Sequence, residues 1–287
     1  GCHQIFLSYE MNLYPVAAAV KHLLTSRSTA GYGVHSPFVY DFLTTVVRGK
    51  TEPHILEEVE NLRREMLASS KTVRVTDLGR GSVVSRGAER KISDIASAAS
   101  LPPRQAALLA RMARGAVSRM EDSIPQPLNT GGKKEIILEL GTSLGISTLA
   151  LALALPEHKI VTVEGCPSLA AMARENLQRH GAGNVEVVNA EFSTALSQLR
   201  QVDARVPFAF VDGNHRGEAL LKYLSEIEQM GEEMIIVADD IHLSRDMYSA
   251  WRSHLTAVGS SAAMETFRFG ILLRLRSITP GCYRIRC

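Results

Sequence analysis

The second half of the chain alternates short apolar runs with amphipathic stretches. Runs at 135–140, 159–163, 185–188, 207–211 and 234–238 are rich in Ile, Val, Leu and Phe and bounded by turn residues, so they read as buried strands. Apolar positions at helical spacing between and after them predict helices near 144–154, 167–180, 194–201, 215–230 and 244–257. Strands alternating with helices imply right-handed crossovers and a mostly parallel sheet covered on both faces. Residues 262–276 resemble a closing hairpin around Gly270.

The first half reads differently. Helices are expected over 13–26 and 36–49, the second opened by Ser36-Pro37, a capping residue followed by proline at the first helical position. Pro53 begins a third, with Ile55, Leu56, Val59, Leu62 and Met66 at helical spacing, and two more follow at about 92–100 and 103–119. Val73–Leu78 reads as a short strand running into Gly79-Arg80-Gly81-Ser82 and a polar, mobile stretch to Lys91, which would suit a lid over a site. Glu121–Lys134, with Pro125, Pro127, Gly131 and Gly132, reads as a linker. The expected organisation is therefore a helical cap over 1–128 and an α/β domain over 129–287, a Rossmann-like, doubly wound, mostly parallel sheet with an N-terminal helical region.

Composition narrows the function classes. With 45% hydrophobic and 22% charged residues and a net charge of +2, the 287-residue chain is that of an ordinary globular protein and carries no nucleic-acid footprint. Its four cysteines form no Cys-x-x-Cys pair, which argues against a zinc site or disulfide framework and for a reducing, cytoplasmic setting. No apolar run approaches the length of a membrane span. The opening GCHQIFLSYE lacks a signal-peptide layout, and Met11 is a candidate start, residues 1–10 then being a remnant.

Candidate chemistry concentrates at the strand ends, where open α/β sheets bind ligands. The run ending in Glu139-Leu140 passes into a turn with Gly141, Thr142, Ser143 and Gly145 and then a Leu/Ala-rich helix containing Ser147. Glycine lets a ligand approach the backbone, and a helix start presents free N–H groups. The pattern is Glu-x-Gly-x-Ser-x-Gly, not the Gly-x-Gly-x-x-Gly of dinucleotide binders. The next strand ends in Glu164, a two-oxygen acceptor suited to ribose hydroxyls, and the third in Asn189-Ala190-Glu191-Phe192, a polar edge with an aromatic face for an adenine. The fourth ends in Asp212 with His215 close behind, and the fifth in Asp239-Asp240. Three converging carboxylates need a cation or raised pKa values, and an oxygen-only set favours Mg²⁺, Ca²⁺ or Mn²⁺; capping roles for these Asp residues are the alternative. His215 could take a proton from a substrate hydroxyl. A nicotinamide-dependent reductase also fits Glu164, Asp212 and the turn, but the third glycine and a Tyr-x-x-x-Lys pair are missing. No Gly-x-Ser-x-Gly elbow or Walker pattern is present.

With these residues in view, Glu139–Gly145, Glu164, Asn189–Phe192, Asp212–His215 and Asp239–Asp240 resemble the class I S-adenosylmethionine-dependent methyltransferases. ELGTSLGIST and VDGNHR resemble, more narrowly, the catechol and caffeoyl-CoA O-methyltransferases, and GYGVHSPFVYDF, VTVEGCP and DDIH resemble a group of bacterial methyltransferases of unassigned substrate. The resemblance implies a seven-stranded sheet with a closing antiparallel hairpin and transfer of a methyl group to a small-molecule oxygen. It would place Glu139, Gly141, Thr142, Ser143, Gly145 and Ser147 about the methionine end of S-adenosyl-L-methionine, Glu164 on the ribose, Glu191 and Phe192 about the adenine, and Asp212 beside the cofactor. It implies a catalytic pair of Asp212 and His215, His215 standing where catechol-type enzymes carry a lysine. Asp212, Asp239 and Asp240 would hold Mg²⁺ or another divalent cation, Asp240 replacing an Asn of the metal-dependent members. A reductase and a non-catalytic cofactor-binding module remain the alternatives, and a homodimer is left open.

Overall fold

The computed structural model describes residues 14–28, 34–76, 88–98, 100–122, 134–257, 259, 261–276 and 278–286. The five expected strands form as β4 (Glu135–Leu140), β5 (Ile160–Glu164), β6 (Val185–Asn189), β7 (Arg205–Val211) and β8 (Met234–Ala238). They are mutually parallel and lie side by side as β8-β7-β4-β5-β6. The chain runs outward from β4 through β5 to β6, then returns to the other side of β4 for β7 and β8. That reversal makes the β4/β7 boundary a topological switch point, where a crevice opens beyond the carboxyl ends of the strands.

Side-chain alternation along these strands divides the core in two. Ile137, Ile160, Phe208, Phe210, Ile235 and Val237 face one side, where α5 (Pro103–Asp122), α6 (Ile146–Ala154) and α7 (Pro167–Arg179) pack. Leu138, Leu140, Val161, Val163, Val211 and Ile236 face the other, against α8 (Phe192–Gln201), α9 (Gly217–Glu228) and α10 (Arg245–Ala257). Every residue of α6 is buried apart from the half-buried Leu153. A helix buried all round in this way needs cover on every side. α3 (Pro53–Ala68) and α5 supply it, so the front helices form an outer layer that shares the sheet's first core. In the same region lies α2 (Pro37–Asp41), continued by a wider π-type turn over Phe42–Val47 that packs on α5, whereas α1 (Tyr14–Thr25) packs at the outer edge of the sheet. Ser36 caps α2, its hydroxyl accepting from the Val39 N–H.

Three expectations need correction. The hairpin turn is at Thr266–Phe269, between β9 (Ala262–Glu265) and β10 (Gly270–Arg274), and Gly270 begins a strand. Trp251 lies against it there, and a Cβ on Gly270 would come within 2.8 Å of the indole ring. The last four residues of the polar stretch ending at Lys91 are ordered as β3 (Ala88–Lys91), paired antiparallel with β2 (Thr72–Val75), and α4 (Ile92–Ala98) follows directly. The rest of the expected lid, 79–87, lies outside the described residues, as do residues 1–10, Met11 and most of the expected linker. Finally, the sheet extends beyond seven strands. β11 (Gly281–Arg286) adds parallel to β9, and the two-residue β1 (Arg27–Ser28) adds parallel to β11. Glu265, fully buried on β9, fastens this edge by accepting from Trp251 Nε1 (3.0 Å), Arg252 Nη1 (3.1 Å) and Arg284 Nε (3.2 Å). No helix among the described residues is long and apolar enough to cross a membrane.

Beside this edge His242 stacks between Tyr248 and Phe267, at 4.7 and 5.5 Å between ring centroids, with the His22 ring edge-on at 5.7 Å. Burial lowers the His242 pKa below its ordinary value, against the Phe267 carbonyl and Glu265; His22 and Arg284 add to the lowering. A depressed histidine pKa contributes stability above the unfolded value that is lost as pH falls through the folded one. Wild type should therefore lose more Tm than His242→Phe between about pH 7 and about pH 5. Parallel Tm–pH profiles for the two proteins would refute the assignment.

Candidate active site

The strand ends build a cavity of about 560 Å³ at the switch point, within the range of small-molecule and cofactor sites. Its floor is held by backbone bonds that prolong the ladder past the strands: Gly141 N–H to Val163 O (2.9 Å), Asp212 N–H to Leu140 O (2.8 Å) and Asp239 N–H to Val211 O (2.9 Å). Gly141 has φ +105°, and a Cβ on it would sit 1.7 Å from the Asp212 carbonyl oxygen. Only glycine fits there.

Of the residues expected from the sequence, Gly141, Ser143, Glu164, Glu191, Phe192, Asp212, His215 and Asp240 line the cavity together. Ser143, Asn214 and Asp240 all hold positive φ, at +49°, +50° and +52°. Such backbone is uncommon for non-glycine residues, costs roughly 1–2 kcal/mol each and clusters at functional sites. Three strand ends therefore carry it at one cavity.

Glu164 is the brace of the glycine turn. Its Oε2 accepts from the Ser143 N–H (2.8 Å) and its Oε1 from the Cys166 N–H (2.9 Å) at the start of α7. Burial pushes its carboxyl up, opposed by those N–H groups and that of Gly165. Each oxygen keeps a lone pair for a further donor.

Other expected residues lie behind the cavity wall. Glu139 is fully buried, its Oε2 accepting from Thr148 (2.5 Å) and Thr162 (2.6 Å), while its Oε1 has no hydrogen-bond partner among the described residues. Burial raises its pKa, the threonine hydroxyls opposing. Thr142, bonded to Thr162 at 2.6 Å, is buried in the same network, and Gly145 and Ser147 are buried at the start of α6. These four residues do not line the cavity; they support the turn that does.

The three aspartates converge, but around a residue the sequence reading did not single out. Arg268, on the β9–β10 turn, grips Asp239 through Nε to Oδ1 (2.6 Å) and Nη2 to Oδ2 (2.5 Å), and its Nε lies 3.7 Å from Asp240 Oδ1. Burial alone would lower the arginine pKa, but the Asp239 bonds and the charges of the three aspartates raise it. Burial, then the charges of Asp239 and Asp240, push Asp212 well above the ordinary carboxylate range, with Arg268 opposing. Asp239 does not face the cavity, and both its oxygens serve the guanidinium. The expected divalent-cation set of Asp212, Asp239 and Asp240 therefore does not fit a metal. No group of three or more His, Cys, Asp or Glu side chains among the described residues has the arrangement to hold one.

His215 lines the cavity with Nε2 at 3.9 Å from Asp212 Oδ1. The sequence reading also missed Tyr223, whose hydroxyl accepts from Asn214 Nδ2 (3.1 Å) and whose ring meets Phe192 edge-on at 5.5 Å. The front layer contributes Val75, Thr76, Arg90 and Ala98 to the opposite wall. Its tie to the sheet near the cavity is the buried Cys166 Sγ, which accepts from Thr76 N–H (3.4 Å) and faces the Arg74 carbonyl (3.6 Å).

Residues 138–241 match a family described as a methyltransferase domain. Over 153 residues the chain is 35% identical to a catechol O-methyltransferase of Mycobacterium tuberculosis; the match takes in 52% of this chain and 66% of that protein, just short of two thirds. Among solved structures, an O-methyltransferase from Bacillus cereus in complex with SAH is similar with a TM-score of 0.53 at 18% identity, over 82% of this chain and 96% of that one. An O-methyltransferase from Streptomyces achromogenes involved in tomaymycin synthesis, in complex with SAM, gives 0.50 at 20% identity, over 82% and 94%. At these identities the structural likeness speaks for the fold, and it matches the mostly parallel, doubly wound sheet expected from the sequence.

Proposed function

We propose that this chain, which carries a methyltransferase domain over residues 138–241, is an S-adenosylmethionine-dependent methyltransferase acting on an oxygen of a small molecule. The observation that carries the reading is the meeting of Gly141, Ser143 and Glu164 on one cavity at the switch point of the sheet, with Phe192 beside them. A turn without a side chain at Gly141 admits a ligand to the backbone, Glu164 has acceptor capacity for two vicinal hydroxyls, and Phe192 offers a face to a base.

When bound, S-adenosylmethionine supplies the electrophilic methyl group: an acceptor lone pair forms the C–O bond while the S–C bonding pair returns to sulfur. The protein's part is positioning and proton removal. His215 is the group to take the acceptor hydroxyl's proton, with Asp212 at 3.9 Å to stabilise the imidazolium that results. Tyr223, Leu243 and the front wall of Thr76, Arg90 and Ala98 bound the space left for the acceptor.

The test is calorimetry. S-adenosylhomocysteine should bind and NAD(P)H should not; the reverse result would establish a reductase instead. Glu164→Ala should weaken S-adenosylhomocysteine by about 10- to 100-fold, the worth of one or two hydrogen bonds to a charged group. An unchanged Kd would remove Glu164 from the binding set.

A further inference from the structure

We propose that Arg268 is the resident cation of this site: held by Asp239, it takes the place a divalent metal would need among the strand-end aspartates and holds the acceptor oxygen for transfer. The inference deepens the methyltransferase reading and rests on it. It begins from the fork geometry. A bidentate guanidinium–carboxylate pair occupies both oxygens of Asp239 in one plane and is among the stronger polar contacts available to a protein. Asp239 is 1% exposed, so a metal could reach its oxygens only by displacing the arginine. A guanidinium and a divalent cation on the same carboxylate would also repel each other at close range.

Arg268 is at once anchored and available. Nε and Nη2 are committed to Asp239, whereas Nη1 makes no hydrogen bond to any described residue, and the side chain lines the cavity with His215, Asp212 and Asp240. An acceptor oxygen placed between His215 and Arg268 would give its proton to the imidazole and leave its negative charge on the guanidinium side. Arginine stays charged at any working pH, so this electrostatic help needs no loading with metal.

The substitution also sets the acceptor class. A directly coordinated divalent ion lowers a hydroxyl's pKa by several units, and a single guanidinium charge does so less. The acceptor should therefore carry an oxygen that is acidic in its own right, a phenol, an enol or a carboxylic acid, and not an aliphatic alcohol.

Electron paramagnetic resonance of Mn²⁺ tests this without turnover. Wild type, shown by calorimetry to bind S-adenosylhomocysteine, should leave Mn²⁺ free even at millimolar concentration. Arg268→Met should gain Mn²⁺ binding by at least about tenfold, and that gain should vanish in Asp239→Asn/Arg268→Met. Mn²⁺ bound stoichiometrically by wild type and lost in Asp239→Asn would overturn the proposal, as would a well-folded Arg268→Met that gains nothing. If Arg268→Met does not fold, the wild-type arm decides alone. Failure of wild type to bind S-adenosylhomocysteine would sink the methyltransferase reading instead, a result the Mn²⁺ arms do not share.

Discussion

Gly141→Ala is expected to cost more than about 4 kcal/mol of folding stability, the extreme end for a single substitution. A methyl group at this position would stand 1.7 Å from the Asp212 carbonyl oxygen and 2.7 Å from its carbon, both backbone atoms of the neighbouring strand end. No rotamer relieves such a contact. The chain can respond only by parting β4 from β7, which breaks the Asp212 N–H to Leu140 O bond, or by abandoning φ +105°, which an L side chain resists in any case. Both responses deform the cavity floor. Urea denaturation checks the magnitude, and Gly183→Ala is the control, since nothing lies within 4 Å of the added atom there. That control should stay within about 0.5 kcal/mol of wild type. A Gly141→Ala midpoint as close as that would mean the two strand ends are not clamped as described.

His215→Ala carries the largest expected loss of activity. Removal of a positioned general base lowers turnover by about 10²- to 10⁴-fold. The imidazole is part-exposed on the cavity wall, and among the described residues no hydrogen bond joins it to the glycine turn, so S-adenosylhomocysteine affinity should stay within about threefold of wild type. His215→Gln separates proton transfer from shape, because it keeps a hydrogen-bonding side chain that cannot carry a proton at neutral pH. Both variants should lose kcat alike on whichever phenol or acid serves as acceptor. Retention of activity by His215→Gln would reduce His215 to a shape-filling role.

Much of this site was legible along the chain because open parallel sheets gather their strand ends. Once β4, β5, β7 and β8 could be bounded by their apolar runs, the residues just past them had to share a rim. Gly141, Ser143, Glu164, Phe192, Asp212, His215 and Asp240 were found that way. The same logic could not tell which residues on that rim face the cavity, since Glu139 and Asp239 differ from their neighbours only by the side of the strand they occupy. Arg268 was beyond reach for another reason. Its partner is 29 positions earlier, and the pairing exists only because the hairpin registers Gly270 opposite Ala238. A lone arginine in a turn carries no signal of that. The front wall was hidden similarly: Thr76, Arg90 and Ala98 reach the cavity through the packing of β2 and α7, which no local pattern encodes. β11 was missed because GCYRIR is mixed polar and apolar, as suits a half-exposed strand near a sheet edge.

The outer edge of the sheet joins segments far apart in the polypeptide: among the described residues β1 pairs only with β11, and His22 Nε2 meets the Ile285 carbonyl oxygen at 3.0 Å across 263 positions. Contacts so distant in sequence are closed late, after the chain between them has collapsed. The 14–28 segment should also be the first to open, because among the described residues β1 pairs with β11 alone, whereas β11 is paired along β9 and tied to Glu265 through Arg284. In native-state hydrogen exchange, amides of 14–28 should share one low opening free energy, under that of 281–286 and well under that of β4 and β7. This molecule would then shed its outermost segment under mild stress while the strands that carry the cavity stayed intact.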